Sequence, residues 1–227
     1  VNAGAEGIGI NGDYNQVTGC KVYCNENTEN AATDYYMIVT GSYNIFRDCY
    51  IERALGLSHW GHGYTAKTNA AQVIDQGLNL PSIAAQHNEF YYCVARNMGE
   101  SFCVRHRTAQ YNLFYHCKAY GSHTGAVDSP GGEGNGIVIR DGASDNVFDG
   151  IIAENCNSGI EIGDSDEDGD MNANPPGHPN NNNRVINSIF YNCYVGVSYT
   201  DEGVPSDAGN NTIAGCTFFK TRYLHYA

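Results

Sequence analysis

The sequence has 227 residues, 41% of them hydrophobic, and its 25 acidic residues outnumber 12 lysines and arginines to give a formal net charge of −13. This balance excludes a general nucleic-acid binder, which needs a basic surface, and no apolar run reaches the roughly 20 residues of a membrane span. The composition predicts one domain over residues 1–227, or a piece of a longer chain, that is secreted or periplasmic; it does not indicate an oligomeric state.

One spacing pattern recurs along the chain around seven asparagines. Two, five and seven residues after Asn112 come Phe114, Cys117 and Ala119. The same offsets give apolar or small residues after the other marks, which are Asn15, Asn44, Asn88, Asn146, Asn183 and Asn211. A unit that repeats while the length between its copies varies is typical of a solenoid.

A second segment, in which apolar residues alternate with others, precedes each asparagine. Its copies are 8–11, 37–40, 64–67, 102–105, 137–140, 160–163 and 197–200. Alternation with a period of two predicts β-strands that turn one set of side chains inward and the other outward. Such strands, without helical periodicity, predict an all-β parallel β-helix of about seven coils with long loops on some corners.

Inside such a helix the asparagines are expected to stack as a ladder, with their amides bonded to one another and to turn backbone. Four cysteines share one inward position of the repeat, so we interpret them as packed thiols rather than as a disulfide framework: Cys20, Cys49, Cys93 and Cys117. Cys156 and Cys193 share another position and are expected to stack on each other.

The last outward position of the upstream strands carries three cations in succession. In chain order it holds Asn11, Thr40, Lys67, Arg105, Arg140, Gly163 and Thr200. Like charges on neighbouring strands are destabilising unless a counter-charge lies beside them. In an acidic protein this column predicts a site for an anionic polysaccharide. The alternative is that each cation pairs with a carboxylate of the chain, for example Arg140 with Glu161 or Asp141.

Residues 61–117 resemble polysaccharide lyase family six, the group of alginate lyases and chondroitinase B. The resemblance lies in Tyr64-Thr65-Ala66-Lys67-Thr68 on one coil and Phe102-Cys103-Val104-Arg105-His106 on the next. It implies a right-handed parallel β-helix that cleaves a uronate-containing polysaccharide by β-elimination, with Lys67 as general base and Arg105 as general acid. Where the family has calcium ligands, five and seven residues before the lysine, this chain has His62 and Trp60. Arg140, His62 or His106 would then supply the positive charge.

β-Elimination removes the proton next to a uronate carboxylate and creates a dianion, so fixed positive charge is its main requirement. Arg105 can hold the carboxylate through two hydrogen bonds, although a guanidinium is a poor proton donor. The candidate catalytic residues are Lys67, Arg105 and His106, and the candidate substrate-binding residues are Arg140, His62, Arg107, Tyr64 and Glu161. The inward alternation favours a core position for Tyr64 over a catalytic one.

An acidic column follows the cations and holds His106, Asp141, Asp164 and Asp201. Asp141 and Asp164 are the candidate acid pair of a glycoside hydrolase; the alternative is that they are turn residues at strand ends. Residues 164–172 also resemble the first half of a calcium loop, with Asp164, Asp166, Asp168 and Asp170 as ligands. Pro175 stands where the last ligand belongs, so a structural Ca²⁺ competes with a solvated acidic loop.

Three other functions stay open beside the lyase. A uronate epimerase begins with the same proton abstraction. A glycoside hydrolase would use the paired aspartates. A non-catalytic polysaccharide-binding or adhesin solenoid would keep the arginines and tolerate the loss of Lys67.

Overall fold

The computed structural model describes residues 6–23, 34–53, 61–67, 84–106, 108–121, 134–164, 180–201 and 209–226. Their strands form three parallel sheets, here named A, B and C, and each strand pairs with the strand three further along the chain. Each coil therefore contributes one strand to every sheet, which confirms the predicted all-β parallel β-helix. Among the residues described, no helix is long and apolar enough to cross a membrane.

Sheet A contains the segments that the alternation predicted as strands. Its eight strands are β1 (Glu6–Ile10), β4 (Asp34–Val39), β7 (Gly61–Lys67), β10 (Glu100–Arg105), β13 (Asn135–Arg140), β16 (Ser158–Asp164), β19 (Val195–Asp201) and β22 (Tyr223–Tyr226). The last of them, β22, lies in a segment to which the sequence pattern had assigned no structure.

Sheets B and C contain short strands that follow each asparagine of the repeat. Sheet B has β2 (Gln16–Thr18), β5 (Ile45–Arg47), β8 (Glu89–Tyr91), β11 (Leu113–Tyr115), β14 (Val147–Asp149), β17 (Arg184–Ile186) and β20 (Thr212–Ala214). Sheet C has β3 (Lys21–Tyr23), β6 (Tyr50–Glu52), β9 (Val94–Arg96), β12 (Lys118–Tyr120), β15 (Ile152–Glu154), β18 (Ile189–Tyr191) and β21 (Thr217–Phe219).

The asparagine ladder runs through all seven marks of the repeat, just before sheet B. Each of the first six asparagines donates its backbone N–H and its side-chain amide to the Oδ1 of the next one, at 2.8–3.1 Å. Inner rungs also donate to a backbone carbonyl, as Asn112 Nδ2 does to Ala85 at 2.8 Å. The ladder therefore satisfies backbone groups that the turns would otherwise leave unpaired inside the helix.

Aromatic rings and thiols fill the core in columns. Phe46, Phe90, Phe114 and Phe148 stack with ring centroids 4.7, 4.3 and 4.8 Å apart. The described cysteines are free thiols, and Cys49, Cys93 and Cys117 are buried in one column as predicted. Because Sγ atoms in this column lie between core side chains, they contribute packing rather than cross-links.

The strands of sheet A break their alternation once, close to where each begins. A Cβ added at Gly136 would lie 2.7 Å from Ala153 Cβ, so this position faces the core, as does Ile137 beside it. Gly63 faces inward in the same way, toward Ile51. Two successive inward positions put the preceding residue on the outward face. This break places His62 and Glu100 outward, beside the cation column.

Candidate functional site

The cation column has the register that the sequence predicted. Arg105 is the Cα partner of Lys67 on one side and of Arg140 on the other. Adjacent strands lie about 4.8 Å apart, so the three side chains leave neighbouring strands on one side of sheet A. We call this surface the polar face of sheet A; the described residues that form it are Tyr35, His62, Thr65, Lys67, Glu100, Arg105, Asn135, Arg140, Ser158, Glu161 and Ser198.

Carboxylates of the chain already compensate the two arginines. Arg105 Nε donates to the Asp141 carboxylate, and Arg140 is held between Glu161 (Nε to Oε1, 2.9 Å) and Glu100 (3.2 Å). Both arginines are buried, at 5% and 6% exposure. The expectation that the column lacks a counter-charge of its own was therefore wrong, and the pairing of Arg140 with Glu161 was the correct alternative.

Glu100 and Arg140 stay charged although they are buried. Burial acts to raise the pKa of Glu100, but the charges of His62, Arg140 and Arg105 bring it well below its ordinary value. Burial opposes the charge of Arg140 too, yet Glu161 and Glu100 keep its pKa well above the usual range. Burial and the Glu100 charge raise the pKa of Cys103 on the same face, so its thiol stays neutral and is a poor nucleophile.

Lys67 is the least buried of the three cations, and it contacts Tyr35 of β4. Lys67 Nζ donates to the Tyr35 hydroxyl at 2.5 Å and lies 4.7 Å from the centroid of the Tyr35 ring. Tyr35 is itself 9% exposed. Sequence reasoning did not identify Tyr35. The alternation of inward and outward residues was applied only to the part of β4 that follows its two inward positions, and Tyr35 lies before them.

His62 lies within β7 and is 3% exposed. Its Nδ1 is 2.7 Å from Glu100 Oε2, and its ring stacks on Tyr35 with centroids 4.7 Å apart and planes 18° apart. Its Nε2 is buried and has no hydrogen-bond partner among the residues that the structure describes. Sequence reasoning did not identify Glu100 either. The signal that could have identified it is its register with His62 on the neighbouring strand.

The acidic column lies at the turns where the strands of sheet A end. His106 and Asp141 have positive φ values of 72° and 57°, and His106 Nδ1 is 3.7 Å from the Asp141 carboxylate. Asp141 thus combines a turn conformation with the ion pair to Arg105. Asp164 ends β16 in register with Asp201, but its side chain lies outside the described part, as do Arg107, Asp166, Asp168 and Asp170. The acid pair and the calcium loop stay predictions.

Two candidate substrate-binding residues are not available to a substrate at this face. Tyr64 is fully buried in the core, and its hydroxyl donates to the Val94 carbonyl at 3.2 Å. Glu161 is fully buried beneath Arg140, and its Oε2 accepts from Asn135 Nδ2 at 2.6 Å. We correct both assignments: Tyr64 packs the core, and Glu161 compensates Arg140.

Three hydroxyl groups on the polar face are buried without a hydrogen-bond partner in the described part of the chain. They belong to Thr65, Ser158 and Ser198. Buried polar groups in folded proteins are nearly always bonded, so unsatisfied ones require an explanation. Together with His62 Nε2 they make four buried polar atoms on one face that have no hydrogen-bond partner among the described residues.

Searches for a metal site and for relatives gave no assignment. Within the described ranges, no group of three or more His, Cys, Asp and Glu residues is arranged to hold a metal ion. No family model, no curated protein and no solved structure matches this chain.

Proposed function

We propose that this protein is a carbohydrate-active enzyme that binds an acidic, uronate-containing polysaccharide at the polar face of sheet A and cleaves it by β-elimination. The observation that carries the proposal is the register of Lys67, Arg105 and Arg140 on three adjacent strands. It gives the protein a lysine and two guanidinium groups along one flank of the solenoid, within the span of a bound sugar acid.

The burial of this charged network supports a functional site over a purely structural one. Removing ion pairs from water costs several kcal/mol per ion, and apolar side chains of similar size are often as stable or more so. Glu100 and Glu161 are nevertheless fully buried beside Arg140. Charged clusters that a fold does not need for stability are concentrated at binding and catalytic sites.

The unsatisfied hydroxyl groups support a ligand rich in polar groups. Thr65, Ser158 and Ser198 belong to three different strands of sheet A, so they are spread across the face rather than gathered at one point. A sugar presents several hydroxyls that donate and accept, and it would satisfy such a dispersed set.

The chemistry assigns a role to each basic group. Lys67, half-buried and bonded to the Tyr35 hydroxyl, takes the proton next to the uronate carboxylate. Arg105, whose Nε bond to Asp141 fixes its plane, supplies charge to the dianion that forms. Arg140, held between Glu100 and Glu161, compensates these two buried carboxylates and orders this part of the face.

The experiment is to incubate the purified protein with alginate, chondroitin and dermatan sulfates, and pectate while following the ultraviolet absorbance of the unsaturated product. We expect absorbance with one class of polymer, and we expect Lys67→Ala to abolish it without lowering the free energy of unfolding by more than about 1 kcal/mol. Lys118→Ala, an exposed lysine on sheet C, is the matched control. Turnover by Lys67→Ala equal to that of the parent protein contradicts the assignment of the base.

A glycoside hydrolase is the second candidate, because the polar face carries more carboxylates than the sequence reasoning identified there. Glu100 joins Asp141 on this flank, and two carboxylates at the right separation would supply an acid and a base. New reducing ends without ultraviolet absorbance would favour the hydrolase. Deuterium incorporation from solvent without chain cleavage would favour the epimerase, and binding without either change would favour the adhesin-type solenoid.

A further inference from the structure

The elimination chemistry leaves one role unfilled on the polar face, the proton donor to the leaving sugar oxygen. A guanidinium donates protons poorly because its pKa exceeds about 12, and Arg105 is further committed to the Asp141 carboxylate. A group that changes protonation near neutral pH is better suited to this step, and histidine is the side chain with that property.

His62 has the surroundings of an oriented imidazole. Glu100 fixes one ring nitrogen, since its Oε2 lies 2.7 Å from Nδ1, and the Tyr35 ring fixes the plane by stacking at 4.7 Å. Glu100 is in turn held by Arg140 at 3.2 Å and is fully buried. Because a carboxylate accepts only, Nδ1 must carry the hydrogen, and this assignment leaves Nε2 as the nitrogen that is unbonded within the described residues.

His62 and Lys67 lie close enough together to act on the same sugar residue. The centroid of the Tyr35 ring is 4.7 Å from the His62 ring centroid and also 4.7 Å from Lys67 Nζ. The imidazole and the amine are therefore less than twice that distance apart, and both contact Tyr35. A sugar residue lying there would reach both groups, with the proton to be lost near one and the leaving oxygen near the other.

We infer that His62 and Glu100 form an acid–base dyad on the polar face of sheet A, with His62 Nε2 as the atom that exchanges a proton with the bound glycan. The inference rests on the proposed function for its substrate. In the elimination, Lys67 Nζ takes the proton from carbon, the electron pair forms the new C=C bond, and the C–O bond to the leaving sugar breaks. His62, as the imidazolium, gives its Nε2 proton to that oxygen, and the neutral imidazole that results keeps its Nδ1–H hydrogen bond to the Glu100 carboxylate. Solvent then restores both groups.

The charges around the dyad come from every strand packed against it. Glu100 lies on β10 with Arg105, Arg140 lies on β13, and on β4 the Tyr35 hydroxyl accepts from Lys67. Arg53, buried at 3% exposure, lies against Gly61 next to His62. The imidazole therefore lies among both carboxylate and cationic groups of the neighbouring strands.

The test has one arm that needs no substrate. In protein with ¹⁵N-labelled histidine, with signals assigned through His62→Gln, we expect the neutral ring of His62 to carry its hydrogen on Nδ1, the nitrogen that lies 2.7 Å from Glu100. Glu100→Gln should remove the preference for the Nδ1 hydrogen. A ring that carries its hydrogen on Nε2 alone overturns the dyad whatever the enzyme does.

The second arm measures turnover of the polymer that the parent protein cleaves. We expect His62→Gln to lose about 10²–10⁴-fold in kcat and to lose one limb of the pH–rate profile, while Glu100→Gln keeps a weakened and shifted profile. His116→Gln and Glu89→Gln, on sheet B and its turn, are the matched controls.

If Lys67→Ala is inactive while His62→Gln keeps the parent rate and profile, the dyad is refuted and the lyase stands. If the parent protein forms no unsaturated product but does form reducing ends, the lyase is refuted, and the dyad holds only if His62→Gln abolishes that hydrolysis. If the parent protein turns over none of these polymers, both are refuted as catalysis.

Discussion

The asparagine ladder and the polar face of sheet A are both columns of polar side chains, and they differ in how their hydrogen bonds are satisfied. The ladder repeats one residue seven times, and its inner amides at Asn88, Asn112, Asn146 and Asn183 bond both to the next rung and to backbone. The polar face changes residue on every strand and leaves Thr65, Ser158, Ser198 and His62 Nε2 with polar atoms unsatisfied within the described residues.

This difference distinguishes side chains that the fold requires from side chains that can vary without changing the fold. Every turn before sheet B has the same geometry and leaves the same backbone groups to be paired, so the same amide recurs. The outward face of sheet A has no such requirement, because its backbone is already paired within the sheet. The side chains on that face can therefore vary with function. A comparison of substitutions in the two columns tests this distinction.

The largest effect is expected from Asn112→Ala in the middle of the ladder. The substitution leaves the Asn88 N–H and the Ala85 carbonyl without their partners inside the core, and each such group costs about 1–3 kcal/mol. We expect a loss of roughly 3–6 kcal/mol in the free energy of unfolding, measured by denaturant titration. Asn15→Ala, at the exposed end of the same ladder, is the control. Equal losses at the two positions would contradict the structural role of the ladder.

Arg140→Met is expected to destabilise by roughly 3–5 kcal/mol, because it leaves Glu100 and Glu161 as uncompensated buried charges. Unlike the ladder, this column should accept apolar residues when an arginine and its carboxylate partner are replaced together. The double variant Arg140→Met, Glu161→Leu should recover a part of the loss, and Arg184→Met on sheet B, which is exposed, should be nearly neutral. A double variant no more stable than Arg140→Met alone would show that the network is structural.

Glu100→Gln is expected to change how stability depends on pH. The pKa of Glu100 is lowered in the folded protein, so its carboxylate contributes stability above the unfolded value of about 4.3 and loses it progressively as the pH falls below that value. The difference in unfolding free energy between the parent protein and Glu100→Gln should therefore shrink from about pH 6 to pH 3. Glu89→Gln on sheet B is the control, and a difference that grows as the pH falls would reverse the assigned sign.

The smallest effect is expected from Tyr43→Ala. Tyr43 belongs to a stack of rings on the outer turns, between Tyr14 and His87 at 5.0 and 4.9 Å, and is 47% exposed. Exposed ring pairs contribute about 0.5–1.5 kcal/mol, so we expect a loss near 1 kcal/mol by denaturant titration and no change in turnover. A loss comparable to that of Asn112→Ala would mean that outer columns also hold the coils together.

The sequence by itself determined the solenoid, the ladder and the register of Lys67, Arg105 and Arg140. These features depend on local spacing that repeats, and a repeated spacing fixes which residues become neighbours in a parallel stack. The same reasoning placed Cys49, Cys93 and Cys117 together in the core.

Only the tertiary structure decided the partners of the cations and the orientation of His62. Two successive inward positions at the start of each sheet A strand turned His62 and Glu100 outward, and simple alternation gave no sign of this break. Glu100, Asp141 and Glu161 then compensated Arg105 and Arg140. Ion pairing depends on the reach and burial of side chains that come from different coils, and these are properties of the packed molecule rather than of any segment of its sequence.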